Sequence, residues 1–137
     1  VSDPTPRHLT TPETYLGFGR LARRAGGGPV RRDAFADYRL PARLGQNEVA
    51  FGGRWELERE RAVAGPRARL RLHFVASRVY VVLAGRGRVG VSVDGRPRRP
   101  LRVDGDRLYT ARSGAYHDGT IELRPTPGVA AYSFTFG

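Results

Sequence analysis

The chain has 137 residues, 39% of them hydrophobic, which is enough for one folded domain with a sizeable core. It contains no cysteine, which excludes disulfides, zinc-thiolate sites and cysteine nucleophiles. The formal net charge is +11, and all 24 basic residues are arginine. Because arginine, alanine, glycine and proline share GC-rich codons and lysine does not, genome composition can explain much of the bias towards arginine. Since the arginines are also spread along the chain, we favour solvated strand faces over a functional basic surface that binds nucleic acid.

Residues 1–12 contain Pro4, Pro6 and Pro12 and are predicted to be a flexible linker from an upstream domain, with the folded domain spanning residues 13–137. The longest apolar stretch, residues 79–84, is far below the ~18 residues of a membrane span, so we expect no membrane insertion by this domain. No charged-then-apolar leader is present. A targeting signal would therefore lie in sequence upstream of this chain.

Gly17-x-Gly19-x-x-Ala22 matches the pattern of a dinucleotide-binding loop. That loop works only when a buried strand precedes it and a helix follows, because the helix N-terminus holds the pyrophosphate. Here the preceding segment is rich in proline, and the run 26–29, Gly-Gly-Gly-Pro, would end any helix at once. Although Asp37 lies where a ribose-binding acid is expected, we predict no nucleotide site and no cofactor.

From Trp55 onward, hydrophobic residues alternate with polar ones in short runs, as expected of half-buried strands. Asp94-Gly95 predicts a tight hairpin turn, and further turns are expected at Gly105 and at residues 113–119. Residues 30–53 predict one or two short edge strands joined by loops. The predicted strands are 54–63, 68–76, 78–85, 88–95, 101–103, 107–112, 120–125 and 129–137.

Turn signals that recur every 8–12 residues, with almost no helical periodicity, predict an all-β protein built as an antiparallel β-sandwich. Two sheets packed face to face would bury the apolar positions of these strands in one core. The predicted core is Trp55, Leu70, Leu72, Phe74, Val79, Val81, Val91, Leu108, Ile121, Leu123, Tyr132 and Phe134.

The residues needed for catalysis are sparse, and we predict no catalytic residues. His8 lies in the predicted linker, His73 on a strand face and His117 in a turn, so no nucleophile, base and orienting group are brought together by the pattern. The glutamates of 56–60 alternate with arginines as on an exposed, self-neutralising strand face.

Metal-ligand spacing is also missing, and we predict no metal site. Asp104 and Asp106 flank Gly105 in a segment that is typical of a plain turn. A calcium loop would require a larger set of carboxylates at regular spacing.

Sugar recognition requires aromatic platforms surrounded by planar polar side chains. The sequence supplies Phe51 and Tyr109 among its aromatic residues, and Trp55, which is expected in the core because it alternates with a charged face. The candidate ligand-binding residues are Tyr38, Gln46, Asn47, Arg71, His73, Arg78, Tyr80 and Tyr116.

Five segments carry a resemblance to a known family: residues 11–20, 52–58, 68–97, 107–112 and 128–137. The most specific pieces are Tyr15-Leu16-Gly17, the corner at 76–80 and the terminal Phe-Thr-Phe-Gly. From residue 12 to the end, the sequence resembles the C-terminal domain of DipZ-type cytochrome c biogenesis and thioredoxin-like proteins of actinobacteria. In that family a membrane electron-transfer domain is followed by an extracytoplasmic thioredoxin-like domain and then by a sandwich similar to carbohydrate-binding modules.

The resemblance implies a jelly-roll-like sandwich in an extracytoplasmic space, with a thioredoxin-like domain of the same protein as its partner. It also accounts for the missing cysteines, since the redox pair would lie in the preceding domain. We therefore expect a non-catalytic, carbohydrate-binding-like accessory domain, with a glycan as its ligand. The alternative is a structural domain that docks on its thioredoxin-like neighbour and binds no sugar, while an arginine-driven nucleic-acid binder is less favoured.

The same resemblance suggests a role for the early glycines. Gly17 and Gly19 are expected to let the chain turn closely onto the sandwich, with Tyr15, Leu16 and Phe18 as anchors.

Overall fold

The computed structural model describes residues 9–137, so most of the predicted linker, including His8, lies outside the described residues. The described part contains nine strands and no helix. The strands are β1 Thr14–Tyr15, β2 Phe35–Tyr38, β3 Val49–Leu57, β4 Ala62–Ala64, β5 Arg69–Ala84, β6 Arg86–Val93, β7 Arg96–Asp104, β8 Arg107–Pro125 and β9 Ala130–Phe136.

The strands pair antiparallel in the order β1-β9-β4-β3-β5-β8-β6-β7, with β2 beside β3. A further pairing between β9 and β5 closes the sheet on itself, because β9 also joins β4 and β4 joins β3. Residues 69–72 of β5 pair with β3, whereas residues 79–84 pair with β9, so this long strand contributes to both layers. The all-β, antiparallel β-sandwich expected from the sequence is confirmed.

Two pairs of predicted strands are in fact single long strands. β5 runs through residues 69–84 and β8 through 107–125, and their pairing register shifts between Ala76 and Arg78. Across this shift the inward-facing positions of β5 change from even numbers, such as Phe74, to odd numbers, such as Val79. The predicted turn at 113–119 is therefore wrong, because these residues form an irregular, bulged part of β8.

Arg112 holds this irregular part in place. Its guanidinium Nη1 donates to the carbonyl oxygens of Ser77 at 2.8 Å, Ala115 at 2.7 Å and Ala76 at 3.3 Å. The carbonyl groups that lose their partners in the ladder because of the bulge thereby accept hydrogen bonds from the nearly buried side chain of Arg112. We call residues 76–77 together with the bulge at 113–116 the β5–β8 corner.

The predicted strand 54–63 is a hairpin instead. β3 ends at Leu57 and β4 begins at Ala62, with the Glu58 amide donating to the Arg61 carbonyl at 2.8 Å. An ion pair of 2.7 Å joins the side chains of the same two residues. The alternating charges therefore belong to a turn and not to a continuous strand. The Asp94-Gly95 turn is confirmed, with positive φ at both residues (51° and 79°) as a type I′ turn requires.

The core lies between the layers and contains ten of the twelve predicted residues. Leu108 was wrongly assigned to it, since 51% of this residue is exposed, and Tyr132 is only partly buried. Strand β8 turns Tyr109 inward, which sends its neighbour Leu108 outward. Trp55 is fully buried, as expected, and its indole donates to the Gly52 carbonyl at 2.9 Å.

The chain enters the domain along the β5–β8 corner. Thr11 is buried, its amide donates to the Val75 carbonyl at 2.9 Å, and its hydroxyl accepts from the Val75 amide at 2.7 Å. The last residue, Gly137, exchanges backbone hydrogen bonds with Arg78 and accepts one from Ser77. Both ends of the described fold therefore meet residues 75–78.

The glycines that matched the dinucleotide pattern make close backbone contacts. A Cβ on Gly17 would lie 2.3 Å from the Arg59 carbonyl oxygen, and one on Gly19 would lie 2.9 Å from it. The amide of Gly19 donates to this same oxygen at 2.8 Å. The glycines therefore let the chain lie against the β3–β4 hairpin, while Leu16 is fully buried in the core.

Candidate functional site

An open cleft of about 500 Å³ lies on the outer face of β5, β8 and β6. Arg69, Arg71 and His73 reach it because they alternate with the core residues of β5. β8 contributes Thr120, Glu122 and Arg124 by the same alternation, and β6 contributes Ser92. Residues 42–44 and the Asp94-Gly95 turn border the cleft.

Glu122 is the centre of the cleft. It lies directly opposite Arg71 in the β5–β8 ladder, and only 7% of its side chain is exposed. Its carboxylate accepts from Arg69 Nε at 3.0 Å, from Arg71 Nη2 at 2.6 Å and from Arg124 Nε at 2.7 Å. Three guanidinium groups are therefore fixed on one carboxylate.

The charge state of Glu122 follows from these bonds. Burial alone would raise the pKa of its carboxyl, but the hydrogen bonds from Arg69, Arg71 and Arg124 outweigh burial and lower the pKa to about 2. The group is ionised throughout the physiological pH range. We call Glu122 and its three arginines the Glu122 cluster.

Two histidine–aspartate pairs stand beside this cluster. His73 Nε2 lies 2.6 Å from Asp118 Oδ1, and its Nδ1 lies 3.1 Å from the Leu44 carbonyl oxygen. Burial lowers the pKa of His73, but both oxygens favour the doubly protonated ring, so the net effect raises the pKa. His117 Nε2 lies 2.6 Å from Asp94 Oδ2 in the same way.

Asp94 is fixed by the hairpin turn that it begins. The Thr120 amide donates to its Oδ1 at 2.9 Å, and this bond, followed by the one from His117, lowers the pKa of Asp94. The cleft therefore presents guanidinium, imidazole and carboxylate groups in fixed positions. Within residues 9–137 no group of three or more His, Cys, Asp or Glu side chains is placed to hold a metal ion.

Two of the predicted ligand-binding residues, Arg71 and His73, line the cleft together. Gln46 and Asn47 lie in the adjoining turn, where the Asn47 amide donates to the His73 carbonyl at 2.8 Å. Asn47 adopts a φ of 67°, and its buried Oδ1 has no hydrogen-bond partner among the described residues. These four residues are near neighbours in the structure.

The other predicted residues lie elsewhere. Tyr38 lines a separate depression beside Phe35, and its hydroxyl accepts from the Arg31 amide at 3.2 Å. Arg78 and Tyr80 lie on β5 beyond the β5–β8 corner. Tyr116 is half exposed in the bulge of β8, with its hydroxyl bonded to the Leu9 carbonyl.

The remaining aromatic candidates, Phe51 and Tyr109, belong to the core. In the described part of the chain no Phe, Tyr or Trp ring lines the cleft, so its chemistry is that of its polar groups.

A second cleft, of about 420 Å³, lies between β1, the glycines that follow it and the β3–β4 turn. It holds two tyrosines, Tyr15 and Tyr132, which the sequence analysis did not place at a site. The Arg20 guanidinium covers one face of the Tyr15 ring at 3.6 Å from its centroid. Because that face is already occupied by a cation, Tyr15 is less suited to stack on a ligand.

The sequence analysis missed Asp94, Thr120, Glu122 and Arg124. The run Thr-Ile-Glu-Leu-Arg alternates polar and apolar residues from 120 to 124, so their common face was visible in the sequence. Their place beside Arg71 depends on the pairing of β5 with β8, which are about 50 residues apart. No local signal specifies that register.

Comparison with known proteins identifies the family to which the chain belongs. Residues 11–137 match the family described as the thioredoxin-like C-terminal domain. The chain is 37% identical over 146 residues to Protein DipZ of Mycobacterium bovis and to Protein DipZ of Mycobacterium tuberculosis, covering 98% of this chain. It spans only 20% of the length of these relatives.

Solved structures share the fold at low sequence identity. An active-site mutant of a family two carbohydrate esterase from Clostridium thermocellum matches with a TM-score of 0.57 and 19% identity, covering 67% of this chain and 32% of the esterase. A family two carbohydrate esterase from Cellvibrio japonicus matches with a TM-score of 0.55 and 14% identity, covering 63% and 29%. These likenesses concern the sandwich alone.

Proposed function

Because the chain belongs to the family of thioredoxin-like C-terminal domains, we propose that it is a non-catalytic carbohydrate-binding accessory domain of a longer redox protein. Its relatives named DipZ are about five times longer, which supports an accessory part in a protein with further domains. We place the domain in an extracytoplasmic space, next to a thioredoxin-like domain of the same protein. No helix in the described range is long and apolar enough to cross a membrane.

The observation that carries the proposal is the Glu122 cluster on an open sheet face. Sugar hydroxyls are recognised by planar polar groups that donate or accept two hydrogen bonds at once. In the cleft these groups are held before any ligand arrives, since Arg69 and Arg71 each make two bonds to Glu122. Preorganisation reduces the entropy that binding costs.

The same cluster argues against a carboxyl group acting as a general acid in the cleft. A general acid must carry a proton near neutral pH, and a carboxyl whose pKa lies at about 2 carries none. The pKa of Asp94 is also lowered, and its two oxygens are engaged by Thr120 and His117. With no cysteine in the sequence, thiol–disulfide exchange would belong to the neighbouring domain.

The experiment is a binding screen on immobilised saccharides, both neutral and acidic, with two matched variants. Arg71→Lys keeps the charge but loses the fork that bonds to Glu122, and it is expected to weaken binding at least tenfold. Arg78→Lys makes the same change beyond the β5–β8 corner and is expected to leave affinity within twofold.

A loss of binding in Arg78→Lys instead of Arg71→Lys would move the site to the Arg78–Tyr80 end of β5. Failure of the unmodified domain to bind any saccharide in the screen would overturn the proposal.

A second candidate function is docking on the thioredoxin-like neighbour. It is favoured by the outer face beyond the β5–β8 corner, where the exposed Leu108 lies opposite the partly buried Val82 in the β5–β8 ladder. In the full-length protein, hydrogen exchange at the β8 amides of residues 107–112 is expected to be slower than in the isolated domain. Equal exchange in both would exclude this docking face.

A further inference from the structure

The cleft is lined by more guanidinium groups than carboxylates. Arg43, Arg69, Arg71 and Arg124 line it, whereas its carboxylates are those of Glu122 and Asp94. Asp94 is bonded to His117 and to the Thr120 amide, and Glu122 serves three arginines at once. Guanidinium groups therefore remain in excess after every ion pair has formed.

Several guanidinium N–H groups are left for a ligand. The bonds to Glu122 use Nε and Nη2 of Arg69 and Arg71, and only Nε of Arg124. Among residues 9–137 the Nη1 atoms of all three arginines have no hydrogen-bond partner. Solvent reaches these groups, because 44% of the Arg69 side chain and 59% of the Arg124 side chain are exposed.

Arg43 lies at the rim of the same cleft, on the segment that borders it. It is exposed and has no carboxylate partner in the described part of the chain. A second anionic group in the cleft would face Arg43 on one side and the free edges of the Glu122 cluster on the other. Guanidinium and carboxylate are both planar, and they bond best through two parallel N–H···O contacts.

On the basis of the proposed function, we infer that this cleft selects saccharides that carry a carboxylate, namely uronic acid residues, over neutral saccharides. The carboxylate is bound by the unpaired guanidinium edges of Arg69, Arg71 and Arg124, with Arg43 closing the site. Because Glu122 already fixes Arg69 and Arg71, binding the carboxylate costs little side-chain entropy. A neutral sugar leaves the excess charge uncompensated.

The overall charge of +11 attracts any polyanion, so the test has to separate the cleft from the rest of the surface. Polygalacturonate, alginate and hyaluronan are each compared with their carboxyl-reduced forms, which keep the same linkages without the charge. Dissociation constants are measured by calorimetry at 0.15 M NaCl, where long-range attraction is largely screened. At least one acidic polymer is expected to bind tenfold or more tightly than its reduced form.

Two double variants remove the same charge from different places. Arg43→Gln with Arg124→Gln acts in the cleft and is expected to weaken binding of the acidic polymer at least tenfold. Arg99→Gln with Arg102→Gln acts on the exposed part of β7 outside the cleft and is expected to change binding less than twofold. Thermal unfolding of each variant shows that the fold is retained.

The outcomes separate the inference from the proposed function. If acidic and reduced polymers bind equally, or if only neutral saccharides bind, the carboxylate preference is wrong while saccharide binding stands. If the two double variants weaken binding equally, net charge and not the cleft is responsible, which also overturns the inference. If no saccharide of either kind binds, both proposals fail.

Discussion

The two ends of β5 present different outer surfaces on the same strand. Before the β5–β8 corner, its outward residues are Arg69, Arg71 and His73, which form ion pairs or hydrogen bonds with groups on β8. After the corner, its outward residues Tyr80 and Val82 face the uncharged Thr110 and Leu108 of β8. The inner residues at both ends are equally apolar, so the core requires no such difference.

The register shift gives one strand two different outer surfaces. A β-strand without irregularity would keep one set of positions facing outward along its whole length. At the corner the outward positions of β5 change from odd to even residue numbers. A polar cleft and an uncharged face can therefore lie on the same two strands, β5 and β8. The proposed ligand binding concerns the first surface, and the second candidate function, docking on a neighbouring domain, concerns the second.

Among changes on the two outer surfaces and at the corner, the largest effect is expected from Glu122→Gln. This change leaves three guanidinium groups around a neutral amide and should lower the free energy of unfolding by about 3 kcal/mol. Urea unfolding measures it, with Glu60→Gln on the exposed β3–β4 turn as the control, expected within about 0.5 kcal/mol. Equal free energies of unfolding of the two variants would mean that the ion pairs of the Glu122 cluster do not stabilise the fold.

The pH dependence of unfolding gives a second measure of the same cluster. The pKa of Glu122 is lowered on folding, so its stabilisation is complete above the unfolded pKa of about 4.5 and is lost as the pH falls towards 2. The loss should be about 2 kcal/mol after allowing for the exposure of its partners. Glu122→Gln should lack this part of the acid dependence, and a variant with an unchanged profile would contradict the assignment.

Arg112→Met tests whether the corner is needed to keep the two surfaces apart. The carbonyl groups of Ala76, Ser77 and Ala115 lose their donor, at a cost of about 1–2 kcal/mol. Arg78→Met is the exposed control. Because His117 and Asp118 follow the bulge directly, saccharide binding should also weaken in Arg112→Met, and an unchanged affinity would show that the cleft does not depend on the corner.

The smallest effect is expected from Leu108→Thr on the second surface. The Leu108 side chain is half exposed, and threonine is a favourable residue in a β-strand. The free energy of unfolding of the isolated domain should therefore change by less than about 0.5 kcal/mol. Leu72→Thr, on the inner face of β5, should cost more than about 3 kcal/mol. Both are measured by thermal unfolding, and a large loss in Leu108→Thr would mean that the second surface is packed within the domain.

Local patterns predicted much of this fold. The alternation in residues 69–74 correctly separated inner from outer positions, and the turn at Asp94-Gly95 follows from two residues that tolerate positive φ. The assignment of Leu108 was wrong because Leu108 and Tyr109 are adjacent apolar residues, and either phase of the strand buries one of them. The hairpin at 58–61 was missed because it lacks glycine, proline and asparagine.

The candidate site was predicted only in part, for a related reason. Arg71 and His73 were identified from their own strand, whereas Glu122 acquires its role from the pairing of β5 with β8. Glu122 lies beside arginines of two strands because of the pairing register of β5 and β8, and this register depends on the corner at 76–77. The aromatic candidates were scattered because aromatic residues serve core and surface equally well.

The meeting of both ends of the described fold at residues 75–78 has a practical consequence for protein engineering. Since Thr11 and Gly137 both hydrogen-bond to this one stretch, a short peptide is enough to join them without disturbing any strand. New ends can then be opened at Gly27, where a side chain would meet no atom within 4 Å. Such a circular permutant would carry its new ends at Gly27, so a reporter protein could be attached there while the strands that line the cleft keep their order.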